Sequence, residues 1–263
     1  MIVNYTLFCY NVYIIWGYKM DKKISELLDI IKDSKRIVFM TGAGVSVPSG
    51  IPDFRSANGL YSTKYGDLNP ETIISHSFFV KYPDEFYRFY RDKMVYEDAL
   101  PNVIHTTMAL LERCGKSLGV ITQNIDGLHQ LGGSKDVLEL HGTILKNRCM
   151  KCGKEYGLDK ITSSIGVPMC DCGGIIKPEV VLYEEGLDYD CLRASVDRIR
   201  QADTLIVVGT SLVVNPAASL VSYFTGHKFI IITMSETPYD KYADLIIRDK
   251  AEVVFEEIRK EYE

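Results

Sequence analysis

The apolar run from Arg36 to Met40 leads through Thr41 into Gly42-Ala43-Gly44, and no other stretch limits the fold so tightly. Its length and branching predict a buried strand. Such a strand ending in paired glycines brings bare backbone up to a ligand, because glycine carries no side chain to block the approach. Pyrophosphate is the usual guest, held by amide N–H groups where a helix begins. The third glycine, Gly50, is displaced from the usual dinucleotide spacing, so the glycines alone are a weak signal. The tail Pro52-Asp53-Phe54-Arg55 strengthens it. A carboxylate, an aromatic face and a cation beside a phosphate turn are more than a structural turn needs.

The rest of the chain repeats this organisation. Ile24, Leu27, Leu28 and Ile31 recur at helical spacing and predict an amphipathic helix over residues 22–33. Strand-like runs follow at 118–122, 137–140, 180–183, 204–208, 229–233 and 245–247, with helical stretches at 103–114, 190–202 and 251–261. Strands alternating with helices predict an α/β fold with a parallel sheet covered on both faces. Residues 56–103 read as a helical insertion. Phe86, Tyr87, Phe89, Tyr90 and Tyr96 in its helix 84–97 are expected to be core rather than a cofactor box.

Polar motifs fall at the ends of these strands. Gln123-Asn124-Ile125-Asp126 and His129 follow one, His141-Gly142 the next, and Gly209-Thr210-Ser211 another. The ligand crevice of an open α/β sheet lies at the carboxyl ends of its strands, so four strands deliver polar or glycine motifs to one edge. His141 is a candidate general base, because an imidazole titrates near neutrality and can take a proton from a hydroxyl. His129 is the weaker candidate, and His76, His105 and His227 read as surface or satisfied core residues. One side chain among Asn124 and Asp126 could simply cap a helix. Three polar groups at one strand exit read better as the wall of a ribose or carboxamide pocket.

Cys149-x-x-Cys152 and Cys170-x-Cys172 are separated by 17 residues, and glycines trail each pair. Two thiolate pairs on tight turns supply four soft ligands at the corners of a tetrahedron, which suits Zn²⁺. The alternative is four buried reduced thiols, which the neighbouring Lys151, Lys154 and Asp171 disfavour. Four protein ligands leave no open position, so the metal is expected to be structural, one per chain.

The chain has 263 residues, with 46% hydrophobic and 25% charged, enough for a large core plus a satellite module. A net charge of -5 argues against a nucleic-acid partner held by phosphate neutralisation. Residues 1–19 are apolar and aromatic but interrupted by Asn4, Thr6 and Asn11, with no basic leader and no cleavage site. They are expected to lie outside the fold, with Met20 as the natural start; a short membrane anchor is the alternative.

Taken together, Gly42-Ala-Gly-Val-Ser46, Gly50-Ile-Pro-Asp-Phe-Arg55, Thr122-Gln-Asn-Ile-Asp126, His141-Gly142, the cysteine quartet and Gly209-Thr-Ser-Leu-Val213 resemble the sirtuin family of NAD-dependent protein lysine deacylases. The resemblance covers about residues 22–260, in family order. It implies a Rossmann-like doubly wound domain, residues 20–57, 104–145 and 177–263, with a small module made of a helical insertion (58–103) and a zinc ribbon (146–176). NAD and an acyl-lysine peptide would meet between the two.

By the same resemblance, Ala43 and Gly44 would lie on the NAD phosphates, with Phe54 and Arg55 closing over the cofactor. Gln123 would contact the nicotinamide ribose, Ile125 and Asp126 the carboxamide, and Asn124 the ribose and a water. Ser211 would approach a phosphate oxygen, and Val47, Asp53 and Thr210 complete the cofactor set. His141 and Asn124 would be catalytic, and backbone at Val181 and Val213 would pair with the substrate as an added strand. The reaction would give nicotinamide and O-acyl-ADP-ribose.

Three departures stand out. Tyr183-Glu184-Glu185 replaces an aromatic-Gly-Glu ending, Met234-Ser235 stands where Asn is common, and Val47 where Thr is common. Relatives that prefer acidic acyl groups place Tyr and Arg three apart, whereas Tyr87 is followed by Tyr90 and then Arg91, which favours acetyl. A cytoplasmic monomer acting on acetylated proteins, without nucleic acid or membrane, is the expectation. Mono-ADP-ribosyl transfer or NAD hydrolysis on the same fold is the rival, and a non-enzymatic zinc-ribbon module would leave the glycine turn and His141 without a purpose.

Overall fold

The computed structural model describes residues 22–263 apart from positions 55, 57, 58 and 63, so the expectations for residues 1–19 and for Arg55 lie outside the described residues. Among the described residues nine strands occur in chain order: β1 (Ile37–Thr41), β2 (Ser117–Thr122), β3 (Val137–Glu139), β4 (Gly142–Cys149), β5 (Glu155–Tyr156), β6 (Ile176–Val180), β7 (Thr204–Val208), β8 (Lys228–Ile232) and β9 (Leu245–Ile247). The α-helices are α1 (22–33), α2 (Pro70–Ile73), α3 (His76–Lys81), α4 (Pro83–Lys93), α5 (Val103–Arg113), α6 (Leu128–Leu131), α7 (Leu158–Thr162), α8 (Tyr189–Gln201) and α9 (Ala251–Tyr262).

Six strands form a parallel sheet in the order β3-β2-β1-β7-β8-β9. This is the doubly wound arrangement, which reverses direction between β1 and β7. Side chains alternate along β1. Ile37 and Phe39 face a core with Leu27 and Ile31 of α1, Met108 of α5 and Phe255 of α9. Val38 and Met40 face the other core, with Ile199 of α8 and Leu220. Both faces are therefore covered, as an all-parallel sheet requires.

The remaining strands form a separate antiparallel sheet, β5-β4-β6. It shares one core with the helical insertion: Phe79, Phe86, Tyr87 and Tyr90 pack with Ile144, Ile161, Ile176 and Val180. The aromatic run is core, as expected. Its helix stops at Lys93 rather than 97, leaving Tyr96 half-buried beyond it.

One expected strand is displaced. The apolar run 180–183 is not part of the parallel sheet; the strand is β6, and it ends at Val180. The Val181 N–H completes the β4–β6 pairing by donating to His141 O, and the next amides leave that sheet, Tyr183 to Ile74 O and Leu182 to a carboxylate oxygen of Glu185. Tyr183 makes only an isolated parallel bridge to Ser75, so no strand continues past Val180. Pro178 fits because β6 is an edge strand, where a missing N–H is tolerated. Among the described residues no helix is long and apolar enough to cross a membrane.

Candidate active site

The switch point of the sheet brings the ends of β1 and β7 together through glycine. The Gly44 N–H donates to Gly209 O at 2.8 Å and the Gly42 N–H to Val208 O at 3.2 Å. A Cβ at Gly44 would lie 2.8 Å from both the Cα and the carbonyl oxygen of Gly209. The bare backbone is thus required by strand-end packing as well as by any ligand.

The chain then makes two 3₁₀ turns, Ala43–Val45 and Val47–Ser49, instead of the expected helix start. Pro48 interrupts the amide series, and Gly50 closes the second turn at φ 86°. Asn102, at the start of α5, holds both turns by donating to Val45 O and Ser49 Oγ, each at 2.8 Å.

Ser46 is the hub between this turn and the exit of β2. Its hydroxyl accepts from Asn124 Nδ2 at 3.0 Å and donates to Asp126 Oδ2 at 2.6 Å. The other carboxylate oxygen of Asp126 accepts from the Leu128 N–H at 2.9 Å. Burial raises the Asp126 pKa despite these two bonds. Gln123 donates from Nε2 to Thr210 Oγ1 at 3.1 Å, joining the exits of β2 and β7. Ile125 is half-buried against the small-module core, and its carbonyl accepts from the Ile144 N–H at 3.0 Å.

His141 lies just beyond β3, with Nδ1 2.9 Å from the carbonyl oxygen of Gln123. A carbonyl can only accept, so Nδ1 carries the proton and Nε2 keeps its lone pair. Burial lowers the His141 pKa, and the Gln123 bond only partly opposes this, so the ring is neutral near pH 7.

His129 has a different position. It is buried beneath the strand ends, its Nε2 3.0 Å from Thr41 Oγ1 and its ring 4.8 Å from that of His105. Burial pushes His129 down to about 3 and His105 down to about 4. Neither is available to an entering substrate.

Phe54 packs its ring 5.3 Å from Tyr61, and Asp53 Oδ1 accepts from the Ser56 N–H at 2.7 Å. Ala43 and Ser211 are half-buried, while Val47 and Val213 are exposed. The network that sequence reasoning missed centres on Ser46, with Thr41 and Asn102 behind it. Ser46 stood inside a recognised motif, but nothing in that motif shows which strand exit its hydroxyl would meet.

The four sulfurs of Cys149, Cys152, Cys170 and Cys172 lie within 4.8 Å of one another. Cys149 Sγ is 3.5 Å from Cys172 Sγ, and Cys152 Sγ is 3.6 Å from Cys170 Sγ. Those separations far exceed a disulfide bond of about 2.05 Å. They approach the roughly 3.8 Å edge of a tetrahedron with Zn–S bonds of about 2.3 Å. Gly174 belongs to this fit, since a Cβ there would lie 2.6 Å from Cys149 Sγ. The residues present suit a structural zinc.

A doubly wound sheet with a glycine crevice at its switch point, a neutral histidine beside it and a four-thiolate module defines a nucleotide-binding α/β protein with a metal-stabilised satellite. Residues 42–216 match the Sir2 family model. The chain is 54% identical over 239 residues to an NAD-dependent protein deacetylase of Clostridium acetobutylicum, covering 90% of this chain and 98% of that one. A protein of the same description from Staphylococcus aureus (strain NCTC 8325) is 46% identical over 232 residues, covering 88% and 95%. Among solved structures, a Sir2 complex with a deacetylated p53 peptide and 3'-O-acetyl ADP-ribose superposes with a TM-score of 0.83 at 39% identity, covering 90% of this chain and 98% of that one. A Sir2–p53 peptide–NAD⁺ complex gives 0.78 at 40% identity, covering 90% and 96%. The chain belongs to the Sir2 family.

Proposed function

We propose that this protein is an NAD-dependent protein lysine deacetylase, releasing nicotinamide and O-acyl-ADP-ribose. The observation that carries the mechanism is the His141 imidazole, neutral and with Nε2 free, at the edge where the β1, β2 and β7 exits converge. Bound NAD supplies the ribose that receives the acyl group as nicotinamide leaves. Ala43, Gly44, Val47, Asp53, Phe54, Arg55, Gln123, Thr210 and Ser211 would hold it, with Ile125 and Asp126 at the carboxamide.

His141 takes a proton from a hydroxyl at Nε2, while the Gln123 carbonyl fixes its tautomer and orientation. Asn124 is oriented through Ser46, which leaves its side-chain oxygen to position a hydroxyl or a water. Phe54 shields the reacting centre from bulk water. Val181 and Val213 offer backbone to an extended peptide. The domain division read from the sequence fits this reading: the large sheet holds the nucleotide, and the small module with its zinc shapes the peptide side.

Acetyl is the acyl group favoured by the spacing of Tyr87, Tyr90 and Arg91. Arg91 donates to Ile161 O at 2.8 Å and to Gly166 O at 2.6 Å, so its guanidinium is committed to α7 and the loop after it. Burial raises the Tyr90 pKa strongly, so it stays a neutral phenol. The test is nicotinamide release by liquid chromatography with and without an acetyl-lysine peptide. Peptide-dependent release with loss of the acetyl group supports the proposal. Release without peptide would indicate NAD hydrolysis, and a peptide that gains the mass of ADP-ribose would indicate ADP-ribosyl transfer.

A further inference from the structure

Among the described residues only two non-glycines have positive φ: Leu212 at 52° and Glu184 at 76°. Leu212 adjoins Val213, and Glu184 lies three residues beyond Val181, so each sits beside one of the two segments assigned to the peptide. A left-handed backbone at a glutamate is held only where its surroundings over-determine it.

What holds Glu184 is its own side chain. Oε2 accepts from the Ser77 N–H at 2.8 Å and Oε1 from Ser77 Oγ at 2.9 Å, so both oxygens engage one residue in the first turn of α3. The backbone on either side reinforces this. The Tyr183 N–H donates to Ile74 O and the His76 N–H to Tyr183 O, both at 3.0 Å. The Tyr183 hydroxyl lies 3.1 Å from that of Tyr61, whose ring packs on Phe54. Glu185, next in the chain, turns back to accept from the Leu182 N–H and to contact Lys177 and His76.

We infer that Glu184 is a positioning residue for the peptide substrate: it clamps the segment after Val181 to the helical insertion and fixes the peptide-pairing edge before substrate arrives. This rests on the deacetylase reading above. Glycine at this position would reach the same φ without strain but could not make the clamp. An unclamped edge would have to be ordered by the peptide itself, so the cost falls on peptide affinity rather than on the chemical step.

The test is steady-state kinetics of the full chain with an acetyl-lysine peptide and NAD, varying each in turn, alongside thermal melting. For Glu184→Ala and Glu184→Gly the peptide KM should rise about fivefold to tenfold, the size expected for losing exposed hydrogen bonds of ordinary net strength. The NAD KM and kcat should stay within about twofold. Ser77→Ala should raise the peptide KM less, because the Ser77 N–H can still donate. Glu184→Gln should restore the peptide KM, since an amide can accept from the Ser77 N–H and donate to Oγ. A peptide KM unchanged in both the Ala and Gly variants would overturn the clamp. So would parallel changes in kcat and the NAD KM, or a melting shift without any KM change. Failure of Gln to rescue, with a KM that depends on salt, would assign the effect to charge attraction and overturn it too. A wild-type protein without peptide-dependent turnover would overturn the deacetylase reading itself, a result distinct from all of these.

Discussion

The Val181 N–H donates to the carbonyl oxygen of His141 at 2.9 Å, so the segment assigned to the peptide and the residue assigned as base share a backbone hydrogen bond. The same histidine is anchored through its ring to Gln123 O. Backbone and side chain of one residue therefore reference the peptide edge and the β2 exit to each other. An acyl-lysine aligned on Val181 is aligned on the base by the same bond, which is the positioning a two-substrate reaction needs.

Replacing His141 with alanine should leave folding and NAD binding in place and lower deacetylation by about 10²–10⁴-fold. Because burial depresses the His141 pKa below its ordinary 6.5, the base stays deprotonated into mildly acidic solution. The acid limb of kcat/KM, which reports the free enzyme, should therefore have its midpoint below 6.5 and vanish in the alanine variant's residual activity. Nicotinamide exchange should suffer less than product formation, because exchange precedes the base's step. Turnover within a few-fold of wild type would remove His141 from the mechanism.

Ser46→Ala should be costly for a different reason. It removes the donor to buried Asp126 and the acceptor for Asn124 in one change. A buried carboxylate deprived of a partner is destabilised by about 1–3 kcal/mol, and its pKa rises further. The NAD KM should rise about tenfold, equivalent to one such bond. Ser46→Thr can keep the hydroxyl and should retain more affinity. An unchanged NAD KM in the alanine variant, measured with saturating peptide, would show that the network is structural only.

The parallel strands were legible because each is a short apolar run ending in a polar motif, and β7 and β9 begin and end where the pattern places them. The run 180–183 misled because Val180, Val181 and Leu182 look like a buried strand. What separates them is that Val181 bonds to His141 across the small sheet and Leu182 turns to the nearby Glu185 carboxylate, which periodicity cannot register. The site was legible to the same extent. His141 and Gln123 to Asp126 announce themselves as polar groups at strand exits. Their wiring is tertiary: Ser46 joins Asn124 and Asp126 to the turn after β1, Gln123 O holds His141, and Gly44 and Gly209 let the β1 and β7 ends approach. Chemistry could be read from residue types, but wiring required the fold.

His105 and His129 make the fold acid-sensitive. Burial holds them at about 4 and about 3, below their ordinary 6.5. As pH falls below about 6.5 the unfolded chain binds protons that the folded chain refuses, so stability declines from there toward pH 4. Above 6.5 both states are neutral at these rings, and they contribute no pH dependence. Melting temperatures should fall between pH 6.5 and 4.5 in wild type and less steeply in His129→Asn. A flat profile down to pH 5 would mean the rings take up protons without unfolding.

Zinc removal should act first on the small module. Cys149 and Cys170 are buried members of the same apolar cluster as Phe79, Tyr87, Val180 and Leu182, so the metal site and the peptide edge share one core. The parallel sheet has its own two cores, which contain none of the four cysteines. Chelation, or Cys170→Ser, should therefore lower the melting temperature, raise the peptide KM and spare most NAD binding. Elemental analysis should give one zinc per chain in active protein and none after chelation, with activity returning on adding Zn²⁺. Since four thiolates leave no open position, exchange for another tetrahedral metal such as Co²⁺ should preserve turnover. Fully active, folded protein without bound metal would rule out the structural role, and turnover that tracks the Lewis acidity of the substituted metal would make the site catalytic.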